Sequence, residues 1–265
     1  MARHRLGGTL LLGCALLAQA PAPPAAPKGP VLLAGEGFAL SGPDGDVHGF
    51  GASKTEHPMG NLARLVWLKF EGSEWAARDV VFKCTGALGG YTCGKPKGHG
   101  RVGLDAAARE DCGLAFLVWI SASAEGWKKD YGDGVARLRL EDAFRPFLGT
   151  RLVRGDSLPA ITPDWIGEGD LLRASPERFL AWLNDPEQSE LLSRCRRTLG
   201  SRAFHFKDLA EIEDWWIASG ASPAAGGAWV VGSNGKLLAV LHQPAAKSGA
   251  EGAARFKAIL GIKQK

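Results

Sequence analysis

Acyl transfer needs a hydroxyl or thiol with a proton acceptor in reach, and this chain offers few places where the two meet. Ser233-Asn234-Gly235-Lys236 sets a hydroxyl three residues before an amine, but Asn-Gly places it at a hairpin tip. Lys247-Ser248-Gly249 sets an amine beside a hydroxyl in a loop ahead of the last helix. A different pair has the right spacing and the wrong chemistry. Asn61 and Arg64, in Pro58-Met59-Gly60-Asn61-Leu62-Ala63-Arg64, stand on one helix face. An amide nitrogen is not a useful nucleophile, and a guanidinium stays protonated at physiological pH and cannot act as a general base. Four cysteines remain beyond the N-terminal region: Cys84, Cys93, Cys112 and Cys195. Cys84 and Cys93 flank a Gly-rich turn, so the expectation is a disulfide between them, with four buried free thiols as the alternative. No Cys-x-x-Cys occurs among them, so no metal site and no cofactor are expected.

The elements that would position these residues can be read from periodicity. Val31 to Leu40 and Val47 to Ala52 flank Ser41-Gly42-Pro43-Asp44-Gly45-Asp46 and predict a β-hairpin. Leu62, Leu65, Val66 and Phe70 recur at helical spacing, which predicts a helix from near Gly60 to Phe70. A short strand is expected at Val80 to Phe82 and a loop over Gly86 to Gly100. Leu104 to Ile120 predicts one helix, amphipathic at first and apolar on every side later, so its second half should be buried. A shorter helix is expected from Leu140 to Phe147. Ser175-Pro176-Glu177-Arg178 has a capping serine before a proline at the first helical position, opening a helix to Leu183. Another helix is expected over Pro186 to Leu199. Trp215 to Ser219, Ala228 to Ser233 and Lys236 to His242 predict strands, the last two joined at Asn234-Gly235. Glu251 to Leu260 predicts a closing helix. Two strands first, helices in the middle, then three strands and a helix imply an α+β, three-layer fold. Its mainly antiparallel sheet is built by both ends of the chain and flanked by helices.

A chain of 265 residues that is 45% hydrophobic and 23% charged can bury a full core and is not a disordered one. Arg3 and Arg5, the apolar run Leu6 to Leu17 and the small-x-small Ala18-Gln19-Ala20 predict a secretory signal peptide over residues 1–20. A buried N-terminal helix is disfavoured by the Pro/Ala linker over residues 21–30. Leu11-Leu12-Gly13-Cys14 loosely matches a lipidation box, so a lipoprotein anchored at Cys14 is the competing reading. Removing Arg3 and Arg5 lowers the net charge from +4 to +2. That near balance leaves no electrostatic footprint for nucleic acid. No other segment approaches 18 uninterrupted apolar residues, so no further membrane span is expected.

Three segments in order carry a resemblance over roughly residues 31 to 262. They are Pro58 to Arg64, Gly98-His99-Gly100 leading into Asp111-Cys112-Gly113-Leu114-Ala115-Phe116, and Trp215-Trp216-Ile217-Ala218-Ser219-Gly220-Ala221-Ser222. Their order, spacing and flanks resemble the Ser-x-x-Lys, Ser-x-Asn and Lys-Thr-Gly motifs of the serine penicillin-recognising family, which contains D,D-transpeptidases, D,D-carboxypeptidases and serine β-lactamases. The resemblance implies that residues 31–265 form one transpeptidase-like domain. It implies that Asn61 stands at the nucleophile position, Arg64 at the base and Asp111 at the second serine. Gly113 replaces the motif asparagine, while Ala218 and Ser219 replace Lys and Thr, and Gly220 is retained.

Together the replacements remove the nucleophile, its base and the carboxylate anchor, so acyl transfer by the family mechanism should be lost. The matching positions also imply an Arg64–Asp111 ion pair plugging the old pocket, with Asn61 hydrogen-bonded to it. The alternative is an outward Arg64 and a solvated Asp111. Backbone N–H groups of Asn61 and Ala221 survive substitution, so Asn61, Ala221, Ser222, Trp216 and Trp229 are the groove and ligand-binding candidates. His99 is read as part of a structural turn, with a loop-borne catalytic base as its alternative. Asp130 and Asp133 around Tyr131 are a poor substitute for a Tyr-x-Asn motif.

The expected protein is exported, periplasmic or extracellular, and catalytically inactive. It would bind a peptidoglycan stem peptide or an envelope protein. An active D,D-peptidase or β-lactamase with unusual motifs is the first alternative, and a structural interaction domain with a closed groove is the second.

Overall fold

The computed structural model describes residues 29–73, 80–148, 157–199, 215–221 and 226–262. The predicted signal peptide, Cys14, most of the 21–30 linker and Ser222 lie outside the described residues. The strands are β1 (Gly37–Ser41), β2 (Val47–Gly51), β3 (His57–Pro58), β4 (Phe82–Cys84), β5 (Ala87–Leu88), β6 (Tyr91–Thr92), β7 (Gly100–Val102), β8 (Arg173–Ala174), β9 (Trp216–Ala221), β10 (Ala228–Ser233) and β11 (Leu238–Gln243). The helices are α1 (Ala63–Ser73), α2 (Leu104–Arg109), α3 (Gly113–Tyr131), α4 (Asp133–Phe144), α5 (Pro176–Asn184), α6 (Ser189–Leu199) and α7 (Gly249–Leu260).

The central sheet has five strands in the order β2-β1-β11-β10-β9, all antiparallel, so both ends of the chain build it. Side chains on a strand alternate between faces, and here both faces are covered. Phe38, Val230, Ala239 and Leu241 pack with Ala253 and Phe256 of α7 on one face. Ala39, Val231 and Val240 join the larger core of the middle helices on the other. Every residue of β10 is buried for this reason, which is why β10 and β11 read as continuous apolar runs. The result is the predicted helix–sheet–helix layering.

Most predicted elements are present, with shifted ends. The hairpin forms as β1 and β2, with Phe38 opposite Phe50. Ser175 caps α5 by accepting the Arg178 N–H at 3.2 Å. Gly235 adopts φ 84° in the β10–β11 turn, a conformation suited to glycine. Four differences have local causes. The strand expected at Val80 to Phe82 forms later, as β4, because it pairs with β7. The loop expected over Gly86 to Gly100 contains the small β5–β6 hairpin. The helix expected from Leu140 starts earlier, at Asp133.

The fourth difference bears on the site. The helix expected over Leu104 to Ile120 is two helices, α2 and α3, with a break at Glu110 to Cys112. Asp111 adopts φ 57° there, the single positive-φ non-glycine residue among the described residues. Aspartate tolerates that region better than most residues because its short polar side chain bonds locally. The apolar pattern continues through the break and conceals it.

Candidate functional site

The site forms where the chain leaves β3 and enters α1. Trp229 on β10 donates its indole N–H to the Pro58 carbonyl at 2.7 Å, fixing this entry to the sheet. Gly60 (φ 54°) begins a 3-10 turn over Gly60–Leu62, and α1 follows at Ala63. Asn61 therefore sits in the tight turn and Arg64 in the first helical turn behind it. Arg64 is almost completely buried, with a side chain 7% exposed.

The break between α2 and α3 aims Asp111 at this pair. Its Oδ1 forms an ion pair with Arg64 Nη1. Its Oδ2 accepts the Asn61 side-chain N–H at 2.6 Å. One carboxylate thus joins the nucleophile and base positions implied by the resemblance. Glu168, just after the 3-10 turn Pro163–Ile166, places Oε1 3.9 Å from Arg64 Nη2. Burial pushes the Arg64 guanidinium down to about 10, opposed by Glu168 and the nearby thiols of Cys112 and Cys93. At neutral pH it is still a cation, and it takes up no proton from a nucleophile. Burial raises the Glu168 carboxyl above its ordinary value, with Arg64 pulling it back.

Two glycines show how closely these parts fit. A Cβ on Gly113 would lie 2.9 Å from Arg64 Nη2 and 3.1 Å from Glu168 Oε1. Gly113 and the long Arg64 side chain therefore share one space. A Cβ on Gly220 would lie 2.3 Å from Asn61 Cβ, so β9 runs directly against the 3-10 turn and position 220 must stay side-chain-free. Ser219 points the other way: a Cβ on Gly249 would meet its Oγ at 3.0 Å, at the start of α7. Ala218 and Ala221 are half-buried and contribute no polar group. β9 carries no cationic residue.

Two groove candidates are corrected. Trp229 is fully buried in the core, and Trp216, 3% exposed, edges a cavity lined by Ser41, Asn184, Arg196 and Ser233, away from Asn61. β10 is buried on both sides, and β9 is buried at Trp216 and Ile217. The tempting Ser248 caps α7, accepting the Glu251 N–H at 3.3 Å. Ser233 Oγ accepts the Gly235 N–H at 3.0 Å in the hairpin turn, as a serine beside Asn-Gly should.

The cysteines depart furthest from expectation. Cys84 and Cys93 are not joined in a disulfide; all four described cysteines are free and buried. Cys84, Cys93, His99 and Cys112 converge, with their ligating atoms all within 4.8 Å of one another. Cys93 Sγ and His99 Nδ1 are 3.2 Å apart. Cys84 ends β4, His99 precedes β7, and the β4–β7 pairing sets Cys84 opposite Gly100. Gly98 (φ 73°) allows the close crossing, since a Cβ there would strike the Cys84 carbonyl at 2.2 Å. Burial pushes the Cys112 thiol up to about 12 and raises Cys93. Burial also pushes Cys84 up, but backbone hydrogen bonds from His99 and Gly86 bring it below its ordinary value.

Three sulfurs and one imidazole nitrogen at these separations suit a tetrahedral metal such as zinc. With Zn–S near 2.3 Å, tetrahedral edges are about 3.8 Å, within reach of small side-chain adjustments. The search for Cys-x-x-Cys missed this set because its ligands are spaced Cys-x8-Cys-x5-His-x12-Cys. Three cysteines and a Gly-flanked histidine within one short, Gly-rich stretch were the available signal.

No protein-family model matches the chain, and no curated protein matches it. Solved structures do. The chain superposes on Pseudomonas aeruginosa PBP2 in complex with WCK 5153 with a TM-score of 0.58 at 13% identity, covering 85% of this chain and 72% of that one. The penicillin-binding protein PBP2 from Helicobacter pylori gives 0.58 at 14% identity, covering 80% of this chain and 51% of that one. The chain therefore spans about half the length of the Helicobacter protein. A class D β-lactamase from Bacillus subtilis gives 0.56 at 13% identity, covering 85% and 90%. The fold is that of the penicillin-binding proteins and serine β-lactamases. Among the described residues, no helix is long and apolar enough to cross a membrane.

Proposed function

We propose that this chain is an exported, non-catalytic binding protein built on the penicillin-recognising fold. The observation that carries the reading is the locked trio Asn61, Asp111 and Arg64 at the positions where the fold's nucleophile and base would stand. A hydroxyl or thiol with a neutral base beside it is needed for acyl transfer. The trio supplies an amide, a carboxylate and a permanently charged guanidinium. The signal-peptide pattern of residues 1–20 supports export.

The charge of the site bears on its ligand. Arg64 faces both Asp111 and Glu168, so this trio of charged groups carries an excess of one negative charge when both acids are ionised. Ala218 stands where the resemblance places a cationic anchor. A stem peptide ending in a carboxylate meets repulsion there, which favours an envelope protein as the partner. Incubation with a reactive penicillin, followed by intact-mass measurement of the folded chain, tests the reading. No adduct is expected. A mass increase of one drug molecule would show a working nucleophile and overturn it. Calorimetric titration with a D-Ala-D-Ala peptide is expected to show no saturable heat.

A further inference from the structure

We propose that Cys84, Cys93, His99 and Cys112 bind one Zn2+ ion, and that this ion is the clamp holding Asp111 against Arg64 and Asn61. The inference deepens the proposed function and rests on its plug, but it does not require the absence of catalysis.

The donor set comes first. Three soft sulfurs and one imidazole select zinc over magnesium or calcium, which prefer oxygen ligands. Cys84, Cys93 and Cys112 are buried, and their ligating atoms with His99 Nδ1 or Nε2 form one compact group. On binding, each thiol gives its proton to solvent and the imidazole stays neutral. Zn2+ with three thiolates carries a net charge of −1. Arg64 already faces two carboxylates, so the role of the ion is to fix Cys112 in place and not to compensate that cation.

The segment that carries the ligands needs a fastener. Between β4 and β7 the chain forms a small hairpin whose Leu88 and Tyr91 are exposed. Its apolar side chains do not anchor it to the core. The cluster is where this segment meets the helical layer, because Cys84, Cys93 and His99 come from the segment and Cys112 from the start of α3. Structural zinc sites supply folding free energy in such cases.

Coupling to the plug follows from adjacency. Cys112 follows Asp111 directly, and Asp111 is held at φ 57°. Residues in sparsely populated backbone regions persist where their surroundings over-determine them. Here Arg64 and Asn61 hold the Asp111 side chain, and a metal on Cys112 would hold the next residue. Releasing the metal frees α3 to extend through the break, which would withdraw the carboxylate from Arg64.

The test uses the full chain purified with Zn2+ and then stripped by a chelator. Elemental analysis is expected to give one zinc per chain, with no disulfide in the intact mass. Stripping is expected to raise amide exchange at least tenfold in peptides holding Asn61 to Arg64 and Asp111 to Gly113, with β10 and β11 unchanged. Cys112→Ser is expected to lose the metal. Should that variant fail to fold, His99→Cys keeps four ligands and is expected to retain zinc and a protected plug. A metal-free chain in which Cys84, Cys93 and Cys112 are free thiols, or a Cys84–Cys93 disulfide, would overturn the zinc site. Stoichiometric zinc whose removal leaves plug exchange unchanged would overturn the clamp. Neither result bears on penicillin labelling, so the two readings fail separately.

Discussion

At the scale of single residues, Arg64 and Gly113 depend on one another. Arg64 fills the space into which a side chain at position 113 would project, and Gly113 is the residue that leaves it free. Gly113→Ala should therefore destabilise the protein by roughly 1–3 kcal/mol through overpacking. In an Arg64→Ala background the same change should cost less, with only the contacts to Glu168 Oε1 and Ile166 Cδ1 remaining. Urea denaturation of the four proteins in the cycle reads this coupling, and additive effects would sink it. The pairing of Arg64 with Asp111 was legible because a buried arginine demands a carboxylate and the motif order brought the two together. Glu168 was not legible. It reaches Arg64 from a loop about a hundred residues away, and no local pattern announces that approach.

Elements decide where the rings and turns fall. β3 lays His57 against His242 of β11, with ring centroids 3.7 Å apart and nearly parallel. Trp229 covers His242 from β10, centroids 4.7 Å apart. Burial, with His57 adding repulsion, pushes the His242 imidazole down to about 3. Burial and Arg173 lower His57 as well. A histidine held neutral in the fold contributes stability that is fully present above its unfolded value near 6.5 and is lost as pH falls toward 3, because the unfolded chain takes up the proton first. The loss should reach on the order of 4 kcal/mol across that window. His242→Phe, which strands no partner because neither ring nitrogen is hydrogen-bonded, should flatten the acid limb of a stability–pH profile. A variant as acid-sensitive as the parent would show that the stack is not responsible. Sequence periodicity located the strands and most helices because their apolar spacing reports the buried face. It did not reveal the split between α2 and α3, since Leu104, Ala107, Leu114 and Phe116 are all buried on either side of it. Nor did it separate core from groove for Trp216 and Trp229, because burial on both faces of a sheet erases the alternation that would distinguish them.

The whole molecule has the fold of the penicillin-binding proteins and serine β-lactamases, with Asn61, Asp111 and Arg64 bonded to one another at the head of α1. The packing that holds β9 against the Asn61 turn, including the side-chain-free Gly220, does not depend on a nucleophile. Restoring the two leading motif residues should therefore fold without restoring chemistry. In Asn61→Ser/Arg64→Lys, Asp111 remains beside the introduced ammonium. A neighbouring carboxylate favours the charged amine, and a protonated amine cannot accept the serine proton. The double variant should fold and show no penicillin adduct by intact mass. Adding Asp111→Ser removes the carboxylate, lets the amine deprotonate more readily and restores a hydroxyl to the proton path. The triple variant should acquire a slow adduct on the introduced serine. Labelling of the double variant at the same rate as the triple would mean that Asp111 does not control the proton, and the electrostatic plug would lose its role in silencing the fold.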